Sequence, residues 1–196
     1  MSYHDLVPFD DSLLSMPLST QISGFVSSFL ETESLLPDNK HLLLDAVIHP
    51  VDLLYILQKR PRKTSVMSSY ASKLVDKHVA VSLSLSPPKV SLTSFNKLLK
   101  SEESRFDELK LLLDDACSCW ACKDGYSRAY IRHLVDVHEM LADILLQVHN
   151  EVQLGRFVHD AAEKAVAGLL TNEMIQLFQF EIEQAQRSLK IQLDSD

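Results

Sequence analysis

All three cysteines of this 196-residue chain lie in one short segment, at Cys117, Cys119 and Cys122. A histidine, His149, follows 27 positions after the last of them, late in a long amphipathic stretch. Three thiolates and one imidazole form the ligand set of closed tetrahedral zinc sites, and soft thiolates disfavour magnesium, calcium and manganese. Because four protein ligands leave no open position on the metal, the pattern predicts one structural Zn²⁺ per chain.

Two alternatives to this ligand set follow from the same residues. Three free cysteines with a surface histidine are the first, although random clustering of every cysteine in one segment is improbable. His138 is the second, because it lies three helical turns before His149 on about the same face and could compete as a ligand. Trp120, inside the cysteine loop, is expected to pack over the metal and shield it.

Composition limits the class of protein. The chain is 46% hydrophobic, enough for one domain-sized core, and its net charge of -8 with a pI near 5.4 argues against nucleic-acid binding by bulk electrostatics. No apolar run is long enough to span a bilayer, and residues 1–11 show no signal-peptide pattern. These features, with cysteines grouped as metal ligands, predict a cytoplasmic protein.

The first hundred residues predict irregular structure followed by strand–helix units. Residues 1–19 have no periodicity, whereas residues 20–100 alternate helical and strand patterns. The pattern predicts strands at 42–48 and 79–85 and helices at 21–32, 50–58 and 68–77. The two strands with the helices between them suggest a βαβ arrangement, which Pro87-Pro88 would end.

Residues 101–196 predict a zinc-binding helical subdomain. Residues 92–115 form a charged connector that leads into it. One long helix should follow the cysteine loop, with its apolar stripe at Tyr130, Leu134, Val137, Leu141, Ile144, Leu145 and Val148. Helices at 154–170 and 173–193 complete the chain, and the last should face the core rather than a partner helix.

Other sites are weakly indicated. Arg128 and Arg132, at the start of the long helix, could contact phosphate, as could the basic run 59–63, which is as well explained by a solvated loop. The sequence contains no glycine-rich phosphate loop, no HExxH motif and no recognisable Ser-His-Asp arrangement. The residues alone therefore predict no catalytic group.

Residues 117–134 and 145–150 resemble the zinc-binding end of tRNA-guanine transglycosylases, the queuine tRNA-ribosyltransferase family. Those enzymes carry a Cys-x-Cys-x-x-Cys loop, an (S/T)RAY-(I/L)-x-HL helix start and a His-Asn pair, and Gly125 is similar to a one-residue insertion into that pattern. The resemblance implies that the zinc ligands are Cys117, Cys119, Cys122 and His149. A weaker likeness covers residues 20–190 and implies the C-terminal part of a TIM-type (β/α)8 barrel with a helical zinc-binding subdomain, a helix-rich α/β fold.

One departure from the family bears on catalysis. The catalytic subunits carry a G-V-D-(M/L)-F-D segment whose last aspartate attacks the ribose C1′, and alignment on Ser68-Ser69 puts Met67 at that position. The glycine-rich loop for the incoming base is not recognisable near residues 16–21, and the early barrel strands with the other catalytic aspartate have no counterpart. This pattern resembles the eukaryotic non-catalytic accessory subunit (subunit 2), in a short or partial form.

The resemblance implies a role in a complex that exchanges guanine for queuine at the wobble position of tRNAs with GUN anticodons. The chain would be a non-enzymatic subunit that forms a heterodimer with the catalytic subunit, and it would meet tRNA through that complex. A cytoplasmic location with peripheral association at the mitochondrial outer membrane is also implied. An active transglycosylase subunit and an unrelated zinc-stapled helical scaffold remain the alternatives.

Overall fold

The computed structural model describes residues 19–22, 41–46, 49–62, 64–96 and 113–194. Its strands are β1 (Ser19–Ile22), β2 (His41–Ala46), β3 (Thr64–Ser68), β4 (Val79–Leu85) and β5 (Pro88–Ser94). Its helices are α1 (Pro50–Lys59), α2 (Tyr70–Val75), α3 (Trp120–Lys123), α4 (Arg128–Asp136), α5 (Met140–Val166) and α6 (Asn172–Asp194). The chain forms two compact units, Met1–Tyr70 with Ala161–Thr171, and Ala71–Asp160 with Asn172–Asp196.

A parallel sheet in the order β1-β2-β3 characterises the first unit. Strand β2 pairs with β1 from Ser19↔His41 and with β3 from Leu42↔Thr64, and α1 connects β2 to β3. The predicted βαβ arrangement is therefore present, but its second strand is β3 and not residues 79–85. Strand β3 escaped prediction because its sequence, TSVMS, is mostly polar and has no alternating apolar pattern. Of the predicted helix at 21–32, residues 21 and 22 belong to β1, and the rest lie outside the described residues.

Helix α1 begins where the sequence predicts. Pro50 occupies the first turn, where its missing N–H costs no hydrogen bond, and Asp52 places a negative charge near the positive end of the helix dipole. The N-cap is His49, whose Nδ1 accepts a hydrogen bond from the Val51 N–H at 3.4 Å. Burial lowers the pKa of His49, against a smaller raising effect of Asp52. The neutral ring is therefore the form that caps the helix.

This cap predicts a loss of stability in mild acid. Because the pKa of His49 is lower in the folded chain than its ordinary value of 6.5, the unfolded chain binds that proton more tightly. The contribution is fully present above pH 6.5 and is lost as the pH falls through the lowered pKa. We expect His49→Asn, which keeps a capping side chain without titrating, to make the free energy of unfolding less dependent on pH in this range. Urea denaturation of both proteins between pH 8 and 5 measures it, and identical pH profiles would contradict it.

The second unit contains an antiparallel hairpin, β4-β5. Its register runs from Val79↔Ser94 to Leu85↔Pro88, and the alternating valines and leucines of β4 are buried. Strand β4 confirms the predicted strand at 79–85. The prediction that Pro87-Pro88 ends the unit was wrong, because Pro88 is the first residue of β5, a position where proline removes no interior ladder bond.

The single long helix predicted after the cysteine loop is two helices, α4 and α5. The His138 N–H donates to the Val135 carbonyl and the Glu139 N–H to the Leu134 carbonyl, and His138 has a φ of 57°. These bonds form a Schellman motif, which ends α4 although a histidine stands where glycine is usual. The predicted apolar stripe is consequently divided between core and surface. Leu134 and Leu145 are buried, whereas Val137 and Ile144 are 49% and 44% exposed.

Helix α6 faces the core of the second unit, as predicted. Its residues Ile175, Phe178 and Ile182 are almost completely buried, at alternating steps of three and four. The Phe178 ring lies against Phe157 of α5, with ring centroids 4.9 Å apart.

The described residues confirm a helix-rich α/β fold but not a barrel. Their strands form one three-stranded parallel sheet and one two-stranded antiparallel sheet. The predicted boundary at residue 100 lies among residues 97–112, outside the described ranges. None of the described helices combines the length and apolarity that a membrane crossing demands.

Candidate metal centre

The cysteine loop is shaped by backbone N–H groups that donate to sulfur. The Cys119 N–H lies 3.5 Å from Cys117 Sγ, and the Cys122 N–H lies 3.4 Å from Cys119 Sγ. Cys119 is also the N-cap of the short helix α3, so its sulfur occupies the position where a helix start favours negative charge. This arrangement suits thiolates, whose charge needs nearby donors.

Gly125 turns the chain out of α3 toward α4. The Gly125 N–H donates to the Cys122 carbonyl and the Tyr126 N–H to the Ala121 carbonyl, which is again a Schellman motif. The glycine has a φ of 79°, a left-handed conformation that side-chain-bearing residues rarely adopt. The extra residue noted in the sequence is thus the one that closes this turn. Ser127 then caps α4 by accepting from the Tyr130 N–H at 3.2 Å.

The structure brings Cys117, Cys119, Cys122 and His149 together. All four are buried, and their candidate ligand atoms lie within 4.8 Å of one another. His149 Nδ1 lies 3.4 Å from Cys122 Sγ and 3.6 Å from Cys119 Sγ. On the other side of the ring, Nε2 lies 3.0 Å from the Val81 carbonyl of β4, which can only accept. Nε2 therefore carries the hydrogen, and the Nδ1 lone pair faces the sulfurs.

The pKa shifts of the candidate ligands bear on how the site would bind a metal. Burial lowers the pKa of His149, which favours the neutral ring that a metal requires. Burial also raises the pKa of the Cys119 and Cys122 thiols, so without a metal they hold their protons. A cation that binds here must displace those protons, and it would supply the charge that the buried thiolates need.

The spacing of the donors fits zinc. Tetrahedral zinc with its usual bonds to sulfur and nitrogen separates a sulfur from a nitrogen by about 3.5 Å. The two sulfur–nitrogen distances of 3.4 and 3.6 Å match this value. Soft sulfur ligands, burial and four protein donors together describe a closed structural site rather than a catalytic one.

Asp114 connects the cysteine loop to the rest of the second unit. Its carboxylate accepts from the Ala116 N–H at 2.9 Å, from Gln153 Nε2 at 2.8 Å and from Ser82 Oγ at 3.1 Å. Burial opposes the charge, but these three hydrogen bonds outweigh it and lower the pKa of Asp114. The ionised carboxylate thus joins the loop, β4 and α5 beside the candidate ligands.

Asp114, Gln153 and Ser82 were not identified from the sequence. One signal was available: Gln153 follows His149 by one helical turn and interrupts an apolar helix face with a polar group. Asp114 and Ser82 offered no pattern, because their contacts join residues 32 to 39 positions apart.

The remaining predicted site residues have other surroundings. His138 is exposed in the turn after α4 and does not belong to the cysteine–histidine group. Trp120 is 43% exposed and packs edge-on against Tyr126, and its shielding of the metal stays a prediction. Arg132 is buried and binds Asp136 and the Phe95 carbonyl. Arg128 donates to the Leu113 carbonyl at 3.3 Å. Both guanidinium groups are thus engaged within the protein.

Comparison with known proteins gives one family. The family model described as queuine tRNA-ribosyltransferase matches residues 77–179, more than half of the chain. The chain is similar to queuine tRNA-ribosyltransferase accessory subunit 2 of Xenopus tropicalis, at 42% identity over 69 residues, which cover 35% of this chain and 16% of that protein. It is similar to accessory subunit 2 of Caenorhabditis elegans, at 31% over 123 residues, covering 61% of this chain and 31% of that protein.

A bacterial relative matches over a segment of comparable length. The queuine tRNA-ribosyltransferase of Fusobacterium nucleatum is 46% identical over 66 residues, covering 34% of this chain and 17% of that protein. The chain therefore spans less than a third of the length of each of these relatives.

Proposed function

The chain belongs to the queuine tRNA-ribosyltransferase family, and from this membership we propose that it is a non-catalytic subunit of a tRNA-guanine transglycosylase complex. The complex exchanges guanine for queuine at the wobble position of tRNAs with GUN anticodons. In it, this chain contributes to heterodimer assembly and to the handling of tRNA and base. Membership of the family removes the alternative of an unrelated zinc-stapled scaffold.

Met67 carries the proposal that the subunit is non-catalytic. By the resemblance noted in the sequence, it occupies the position where the family's catalytic subunits have their nucleophilic aspartate, and it lies on β3, paired with Asp45 of the central strand β2. A carboxylate can attack the ribose C1′ and form a covalent glycosyl intermediate, whereas the neutral thioether of methionine is not among the side chains that serve as such nucleophiles. The names of the two animal relatives, both accessory subunits, support the same assignment.

An active transglycosylase is the second candidate. The observation that favours it is the match to bacterial proteins named as the enzyme, which are as similar to this chain as the accessory subunits are. The two candidates differ in one measurable property, base exchange by the chain alone.

The metal in this proposal is one structural zinc ion held by Cys117, Cys119, Cys122 and His149. A closed set of four ligands leaves no position for substrate, so the ion would fix the cysteine loop against α5 and β4. We propose that this segment, within residues 101–196, is the zinc-binding helical subdomain.

The surface that binds the catalytic subunit is inferred from which apolar and aromatic side chains are exposed. The apolar side chains of Leu134, Leu141 and Val148 are not available to a partner, because Leu134 is buried and Leu141 and Val148 pack against the core of the second unit. Trp120, Tyr126 and Tyr130 instead form an aromatic cluster with stacked and edge-on rings, and Trp120 and Tyr130 are 43% and 41% exposed. Exposed aromatic side chains dominate the binding energy of many interfaces. We assign the contact with the catalytic subunit to this aromatic cluster.

Binding to a catalytic transglycosylase subunit tests the proposal. We expect a stable complex on size-exclusion chromatography, and at least about tenfold weaker affinity for Tyr130→Ala, because hot-spot aromatics typically contribute 2 kcal/mol or more. Leu177→Ala is the matched control, since Leu177 is an exposed apolar residue on a different helix, α6. Equal affinity for the two variants would reject the aromatic cluster as the contact, and no complex at all would reject the assembly role.

Contact with tRNA is proposed to occur through the complex. The net charge of -8 disfavours strong binding by the lone chain, and Arg128 and Arg132 are engaged internally. We also propose a cytoplasmic location with peripheral contact at the mitochondrial outer membrane, as the family resemblance implies.

A further inference from the structure

The outer edge of β4 is covered by two consecutive side chains of α5. On the β5 side the strand is paired through its hairpin, but the peptide groups of Val79 and Val81 also meet α5. Asn150 Oδ1 accepts from the Val81 N–H at 2.9 Å, and Asn150 Nδ2 donates to the Val79 carbonyl at 2.9 Å. His149 Nε2 donates to the Val81 carbonyl at 3.0 Å. Three backbone groups of one strand edge are thus satisfied by the helix.

The amide of Asn150 behaves here like the peptide of a neighbouring strand. It presents one donor and one acceptor, and both are used with the geometry of normal hydrogen bonds. Asn150 is completely buried, as is His149, so water cannot replace these bonds. The paired donor and acceptor fix the position of α5 along β4, because a shift of the helix by one residue would break both bonds.

This position decides where the His149 ring points. The ring is held at Nε2 by the Val81 carbonyl, the next group along the strand after the Val79 carbonyl and the Val81 N–H that Asn150 binds. With Nε2 fixed, Nδ1 must face Cys119 and Cys122. Asn150 touches none of the sulfurs in the described contacts, yet it determines the register in which the nitrogen donor meets them.

We propose that Asn150 is a positioning residue of the metal centre, which sets the affinity for the ion by locking α5 to the edge of β4. The inference rests on the proposed zinc site and deepens it. Groups that orient metal-binding histidines typically change metal affinity by 10- to 100-fold when they are removed. Asn150 would act in this way through the strand instead of through a direct bond to the ring.

Asn150→Asp tests the proposal with the smallest change of shape. The variant keeps an acceptor for the Val81 N–H but replaces the donor to the Val79 carbonyl with an oxygen. The matched control is Asn96→Asp, since Asn96 Nδ2 also donates to a backbone carbonyl, that of Lys77, at 2.7 Å in the same unit. Zinc affinity is measured by competition with a chromophoric chelator, and the Co²⁺ absorption spectrum reports the ligand geometry.

We expect about 10- to 100-fold weaker zinc binding and an altered Co²⁺ spectrum for Asn150→Asp, with less than about twofold change for Asn96→Asp. A folded Asn150→Asp protein with wild-type affinity and spectrum would overturn the proposal, as would equal weakening in both variants. If Asn150→Asp does not fold, Asn150→Ser, which retains only a short hydroxyl, is measured in its place under the same criteria. Absence of zinc binding by the wild-type chain would instead refute the zinc site itself.

Discussion

Replacement of Cys119 by serine is expected to abolish tight zinc binding and to remove most of the stability of the second unit. Cys119 is a candidate ligand, the N-cap of α3 and the acceptor of the Cys122 N–H. A serine hydroxyl does not replace a thiolate as a zinc ligand. Structural zinc contributes about 10 kcal/mol or more in small sites, and a whole domain is stable by only about 5–15 kcal/mol. Loss of the ion would therefore leave this unit marginal.

Elemental analysis and thermal unfolding measure this effect together. The wild-type chain should contain about one zinc per molecule, and strong chelators should reproduce the destabilisation of Cys119→Ser. Ser118→Ala is the control, because Ser118 lies in the same loop with its side chain exposed. Wild-type protein that is folded as purified but contains no zinc, or zinc-loaded protein that unfolds at the same temperature with and without a chelator, would contradict the prediction.

The second expected result is the absence of base exchange by this chain alone. Enzymes of slow reactions supply rate accelerations of about a millionfold or more, and a nucleophilic mechanism loses its covalent step without the nucleophile. By the family resemblance of the sequence, Met67 stands where the catalytic subunits have that group, and in the structure it pairs with Asp45 of β2. Incorporation of labelled guanine or queuine into tRNA should therefore equal the no-enzyme background.

The same assay supplies its own positive control. Adding a catalytic transglycosylase subunit should raise incorporation above background, whereas adding more of this chain should not. Incorporation by the isolated chain, proportional to its concentration, would establish the second candidate, an active transglycosylase.

The grouping of the candidate metal ligands was the part of the structure that the sequence predicted best. One turn of backbone is enough to bring the sulfurs of Cys117, Cys119 and Cys122 together, so their grouping can be predicted from the local sequence. The core face of α6 was likewise predictable, since Ile175, Phe178 and Ile182 repeat with the period of a helix. Both predictions depend on neighbours in the chain, which is why they required no knowledge of the tertiary fold.

The errors occurred where other physical effects decide the structure. Strand β3 is polar, and strand pairing rather than apolar alternation defines it. Strand β5 begins at Pro88, which was predicted to end the preceding unit. Helix α4 ends at His138 through backbone hydrogen bonds and a left-handed backbone conformation. Histidine rarely adopts that conformation, so its presence in the sequence did not predict the end of the helix. The sequence indicated Asn150 only as the neighbour of His149 in the His-Asn pair. Its hydrogen bonds to β4 join residues 69 and 71 positions apart, so no local pattern predicts them.

The separation along the chain between β4 and its helical cover has a consequence for the order of folding. The β4-β5 hairpin and α5 are local structures that form within microseconds, but the bond between Val81 and His149 spans 68 residues. Closing so large a loop is entropically costly and comes late. At usual rates of synthesis, β4 leaves the ribosome roughly 3 to 14 s before His149 does. For that time its valine-rich edge is open to other strands, and we expect nascent chains truncated before His149 to be bound by chaperones more strongly than chains that extend through α5.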